Sequence, residues 1–172
     1  MINNDILIRL RYALDIRDKD MVGIFELGGI EVTKEEVKKM LTKPKDRYDY
    51  EDDNDYDISE NEDIVNINNS KLESFLNGLI IFKRGKQDPK LGKPERPLLT
   101  NEHINNILLK KLKIALTLTS EDMLDILEEA GVTITKSELS ALLRKKGHKN
   151  YVECGDRYAR NFLKGLAIKY RG

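Results

Sequence analysis

Shifted by 102 positions, this chain falls on itself. The stretch NNDILIRLRYALDIRDKDMVGIFELGGIEVTKEEVKKML lies over NNILLKKLKIALTLTSEDMLDILEEAGVTITKSELSALL. Asn4, Leu10, Ala13, Leu14, Asp20, Met21, Ile24, Gly29, Thr33, Lys34, Glu36 and Leu41 recur as Asn106, Leu112, Ala115, Leu116, Asp122, Met123, Ile126, Gly131, Thr135, Lys136, Glu138 and Leu143. The closing stretches, SFLNGLIIFKRG at 74–85 and NFLKGLAIKYRG at 161–172, align at a shift of 87, so the first copy carries 15 extra residues. Whatever one copy folds into, the other must fold into as well. Two copies of about 70 residues point to a pseudo-symmetric pair, because a solenoid needs three or more shorter units.

Each copy reads as four helices. Ile6, Leu7, Leu10, Ala13 and Leu14 keep the i, i+4, i+7 rhythm of an amphipathic helix, as do Leu108, Leu109, Leu112, Ala115 and Leu116. A second helix is expected to open at Asp18 or Ser120, with acids behind it to suit the positive helix end, and to stop at Gly28-Gly29 or Gly131. TKEE and TKSE place Thr33 and Thr135 three residues before Glu36 and Glu138, the spacing of a capping box that opens a third helix. The fourth helix holds the closing stretch. Ser70 and Glu73 have capping-box spacing there, and Asp156 is the expected cap of the second copy. Leu72, Phe75, Leu76 and Leu79 make one buried stripe, and Tyr158, Phe162, Leu163 and Leu166 the other. Gly78 and Gly165 sit inside these helices, where glycine costs about 1 kcal/mol against alanine, so close approach of a neighbouring helix is expected.

The expected fold is therefore all-α, with two tandem pseudo-symmetric four-helix units joined by a Pro/Gly linker. The first unit spans 1–84 and includes an acidic loop at 44–69. The linker is 85–98, with three of the four prolines and no apolar period, and the second unit is 99–172. No stretch approaches the ~18 apolar residues of a membrane span, and MINNDILIRLRYALDI lacks the basic region and clean apolar run of a signal peptide. A single cysteine, Cys154, leaves no internal disulfide framework. A cytoplasmic protein is expected.

Several motifs come near to chemistry and miss. In the acidic segment 49–63, a calcium loop starting at Glu51 finds Asp53, Asp55 and Glu62 in register, but Tyr56 holds the position that needs glycine. Starting at Asp53 brings Asp55 and Asp57 into register, and Ile58 and Ile64 spoil the rest. A solvated acidic loop accounts for the segment. Gly85 and Gly92 are spaced wrongly for a phosphate loop, and Pro94 follows Lys93 where Ser or Thr is required. His148 and Cys154 could form a nucleophile pair, but no third orienting group or oxyanion hole is evident, and a packed cysteine is the simpler reading. His103 reads as a cap-region histidine, and two histidines with one cysteine argue against zinc. No cofactor and no enzymatic activity are expected.

Charge is more informative. The net charge is zero, yet residues 44–69 hold ten acids against two bases, and residues 144–172 hold nine bases against two acids. Arg144, Lys145, Lys146, Lys149, Arg157, Arg160, Lys164, Lys169 and Arg171 are interleaved with Tyr151, Tyr158 and Tyr170, a mixture that can neutralise phosphates and stack on bases. Arg157, Arg160, Lys164 and Arg171 share one helical side, and a solvated polar face would look the same. The segment DMLDILEEAGVTITKSELSALLR also resembles a helix-turn-helix, which would turn Lys136, Ser137, Ser140 and Arg144 outward, with Lys34, Glu35, Lys38 and Lys39 in the first copy. An ordinary helical hairpin is the alternative.

The stretches NNDILIRLRYALDI, FLNGLIIFKRGK and LSALLRKKGHKNYVECGDRYARNFLKGL resemble the YehS-like bacterial family, a tandem-repeat domain of unknown function, over nearly the whole chain. The resemblance implies no established activity, cofactor or catalytic residue. The expected function is a non-enzymatic binding or regulatory protein that associates with nucleic acid through Lys136, Arg144, Lys145, Lys146, Lys149, Tyr151, Arg157, Arg160, Lys164 and Arg171, with the acidic loop as a competitor for that surface. The alternative is an adaptor that receives a protein partner in a groove between the two repeats.

Overall fold

The computed structural model describes residues 2–41, 67–85 and 102–171. The acidic segment 49–63, with its calcium-loop register, and linker residues 86–98 lie outside the described residues. Within them all regular structure is helical: α1 (Asn3–Leu14), α2 (Asp18–Leu27), α3 (Lys34–Met40), α4 (Asn69–Arg84), α5 (Ile104–Ala115), α6 (Ser120–Glu129), α7 (Lys136–Leu143) and α8 (Asp156–Arg171).

The capping boxes of α3 and α7 form where the spacing placed them. The Thr33 hydroxyl accepts from Glu36 N at 3.1 Å and Thr33 N donates to Glu36 Oε1 at 2.9 Å, with the same two distances for Thr135 and Glu138. Helix α6 starts one residue differently from expectation. Thr119, not Ser120, is the cap, because Asp122 stands three residues beyond it and can return the bond. Those bonds to Thr119 hold the exposed Asp122 carboxyl below its ordinary range. Two other expected caps are replaced. Asp18 pairs with Arg11 at 2.8 Å and leaves Arg17 as a cap residue without a side-chain bond. Asn68 caps α4 by accepting from Lys71 N at 2.7 Å, since Glu73 lies on the buried face of that helix at 2% exposure.

The twice-used Asn-Asn pair at the start of α1 and α5 acts as a clasp. Asn106 is fully buried. Its amide donates to Leu142 O and Val152 O, both at 2.9 Å, and its carbonyl accepts from Cys154 N at 2.8 Å. One side chain thus ties the end of α7 to the chain that enters α8. Asn4 likewise donates to Met40 O at 2.9 Å and accepts from Ile67 N at 3.2 Å. The preceding asparagines reinforce each clasp: Asn3 donates to Ile67 O and Asn69 Oδ1, Asn105 to Cys154 O and Asp156 Oδ1.

The interior glycines mark where helices cross at backbone distance. A Cβ on Gly78 would overlap the Ile24 carbonyl of α2, and one on Gly165 would overlap the Ile126 carbonyl of α6. Gly28 closes the first crossing from the other side, against Ser74 O. Each closing helix therefore lies against its own half's second helix. It also lies along the first helix of the other half: α1 packs along α8, and α4 along α5. The closing helices do not simply cover their own halves, and one buried apolar cluster draws on all eight helices, with Phe25 and Phe75 in tilted contact at 4.8 Å.

Three substitutions test this packing. Gly165→Ala should destabilise by about 1–3 kcal/mol despite its better helix propensity, because the methyl overpacks a backbone crossing. Gly23→Ala, in open space on α2, should instead gain up to ~1 kcal/mol. Asn106→Ala strands two carbonyls and one N–H at about 1–3 kcal/mol each, so a loss of about 3 kcal/mol or more is expected. Urea unfolding midpoints of the three variants against the parent chain check both statements.

Candidate functional site

Helix α8 buries Ala159, Phe162, Leu163, Gly165 and Leu166. Its 16 residues leave Arg157, Arg160, Lys164 and Arg171 on the opposite, exposed side. From Arg157 to Arg171 this row runs about 20 Å along the helix at 1.5 Å per residue. Arg160 helps to lower the Asp156 carboxyl one turn back, and among the described residues no ion pair holds Arg157 or Lys164. Lys169 points to a different neighbourhood, a groove shared with Asp122, Asp125 and Glu129 of α6.

Most of the remaining predicted residues form a second group on the chain between α7 and α8. Lys145, Lys146 and Lys149 are exposed on the chain between α7 and α8, and Arg144 is half-buried as the last cap of α7. Lys136 stands apart: it opens α7, about 12 Å from that helix's far end, and lies 3.7 Å from Glu121 across exposed surface. Tyr151 is half-buried and lines a groove of about 530 Å³ with Ile134, Ser137, Ala141, Val152 and Tyr158. Burial pushes its phenol above the ordinary range. Val152 N donates to Ala141 O at 3.1 Å, so the chain leaving α7 runs back along that helix. Ser137 is exposed, as expected, at the edge of that groove, and Ser140 is half-buried.

Helix α1 adds residues that local composition does not reveal. It brings Arg9 and Tyr12 against α8, where a groove of about 370 Å³ is lined by these two together with Asp5, Ile8, Lys164 and Ala167. Tyr12 is 58% exposed. The Arg171 guanidinium sits 4.3 Å over its ring and pairs with Asp15 at 3.1 Å. Arg11 is committed elsewhere, to Asp18 at 2.8 Å and to Ile16 O at 3.1 Å. The one sequence signal for this site is the presence of arginines within an otherwise apolar amphipathic stretch.

The sequence profile of a family described as protein of unknown function, DUF1456, matches residues 3–85 and 105–172. The chain belongs to that family. It is similar to the uncharacterized protein YehS of Escherichia coli strain K12, at 42% identity over 171 residues, covering 98% of this chain and 96% of that protein. No solved structure matches. Membership in DUF1456 brings no activity with it, so the chemistry must be read from the side chains. Among the described residues, no helix is long and apolar enough to cross a membrane.

The candidate nucleophile of this family member is not activated. Cys154 is fully buried, and desolvation, followed by the Asp156 carboxylate, pushes its thiol from an ordinary 9.0 up to about 12. His148 accepts from Asn150 N at 3.0 Å within an exposed turn. Because the folded thiol holds its proton longer than the unfolded one, its contribution to stability is complete below pH 9 and is lost as pH climbs toward 12. A thiol reagent should therefore label native Cys154 at least about a hundredfold more slowly than the urea-unfolded chain, as followed by mass spectrometry.

Proposed function

We propose that this chain is a non-enzymatic cytoplasmic binding protein that associates with nucleic acid through the basic surface of its second half. The chain is best read as two copies of one four-helix unit, 1–84 and 99–172, joined by the linker 85–98. The matched asparagine clasps, capping boxes and glycine crossings support that reading, as do the two matched segments of the family profile on either side of the linker. The observation that carries the functional reading is the exposed row Arg157, Arg160 and Lys164 on α8, together with a second exposed group, Lys145, Lys146 and Lys149, on the chain between α7 and α8. Exposed cations that outnumber the acids beside them can neutralise phosphates, and each phosphate contact releases a counterion.

A protein-interaction adaptor is the second reading, favoured by a different observation. The 530 Å³ groove beside α7 is lined mainly by apolar side chains, and one of them, Val152, is 51% exposed.

Fluorescence anisotropy with labelled single- and double-stranded DNA and RNA tests the first reading. Binding at ~50 mM salt should weaken about tenfold or more at ~200 mM. Charge reversal of Arg157, Arg160 and Lys164 together should abolish it, whereas Lys34→Glu on α3 should leave it within about twofold. Absence of any binding at low salt would sink the nucleic-acid reading. A stoichiometric protein partner captured despite nuclease treatment would then support the adaptor.

A further inference from the structure

The two seams between the halves are built alike and finished differently. Arg84 at the end of α4 donates to Ile114 O near the end of α5 at 3.3 Å, and Arg171 at the end of α8 reaches Tyr12 and Asp15 at the end of α1. Along the α4–α5 seam, the positions 87 residues before Arg160 and Lys164 are Glu73 and Asn77, each only 2% exposed, and Lys111 stands where α1 has Arg9. Burial lowers the Lys111 ammonium, with Glu73 opposing that shift. The α1–α8 seam has the reverse character. Arg9, Tyr12, Arg160 and Lys164 are all exposed.

Tyr12 is the unusual member of this open seam. It lines both grooves there, one with Arg9 and Lys164 and one with Arg171 and Asp15, so it forms the ridge between them. Arg171, itself anchored by Asp15, lies over the ring and holds it in place, while more than half of the side chain stays in solvent. A fixed, exposed aromatic ring beside cations is the arrangement that stacks an unpaired base while neighbouring phosphates are neutralised. Bases inside a duplex are already stacked and cannot reach it.

We propose that the α1–α8 seam binds single-stranded nucleic acid, with Tyr12 as the stacking platform, Arg9 and Lys164 as phosphate contacts and Arg171 as the group that positions the ring. This rests on the nucleic-acid reading above and specifies its ligand. The chain has no tryptophan, so Tyr12→Trp in the full chain is a sole reporter. Its emission should be quenched saturably by a single-stranded oligothymidylate or oligouridylate, and by neither strand once paired into a duplex. Tyr12→Ala should weaken single-strand binding about tenfold or more, and Tyr12→Phe should restore most of that loss. Circular dichroism checks that the variants are folded.

Salt-dependent binding that Tyr12→Ala leaves within about twofold, or that leaves the tryptophan unquenched, overturns the stacking site while the basic-surface reading stands. Equal affinity for duplex and single strand overturns the ligand class. No binding of any nucleic acid by the parent chain removes both readings.

Discussion

A buried asparagine side chain near the start of α1 and of α5 is the contact on which the rest of this architecture depends. Residues 67–68, just ahead of α4, and the segment that joins α7 to α8 lie outside the helices and must satisfy their backbone groups where they enter the core. Asn106 meets that need with three bonds, to Leu142, Val152 and Cys154, and Asn4 does the same work at Met40 and Ile67. A buried amide is suited to this because it carries both donors and an acceptor and no charge to desolvate. Once each clasp is closed, the first turn of the closing helix has a fixed origin, and the direction of α4 and α8 follows.

The glycine crossings then set how deep those helices sit. At Gly78 and Gly165 the closing helix meets the backbone of the second helix, which leaves its opposite side free for the first helix of the other half. The two halves share one apolar core for this reason. A consequence is that a surface on α8 cannot be described from the second half alone, since α1 forms its border.

The two seams show how one scaffold can be given different surface chemistry. The same helical positions carry Glu73 and Asn77 on α4, both buried, and Arg160 and Lys164 on α8, both exposed. Charge on the buried side is compensated locally, as with Lys111 and Glu73. On the open side Arg171 pairs with Asp15 and Arg160 acts on Asp156, while Arg9 and Lys164 are held in no ion pair among the described residues, and it is there that a polyanion would gain most from displacing counterions.

The helices, the capping boxes at Thr33 and Thr135 and the glycine approaches were legible in the sequence, because each depends on residues within a turn or two of one another. The cationic row on α8 was legible for the same reason: a helix fixes which side Arg157, Arg160 and Lys164 share. Some local rules still yielded to packing, as when Glu73 went to the core and left Asn68 to cap α4. The partnership of Arg171 with Tyr12, and of Lys164 with Arg9 across one groove, belongs to the tertiary structure alone. These residues are more than 150 positions apart. Only the docking of α1 along α8, set by buried apolar area and not by any local pattern, brings them together.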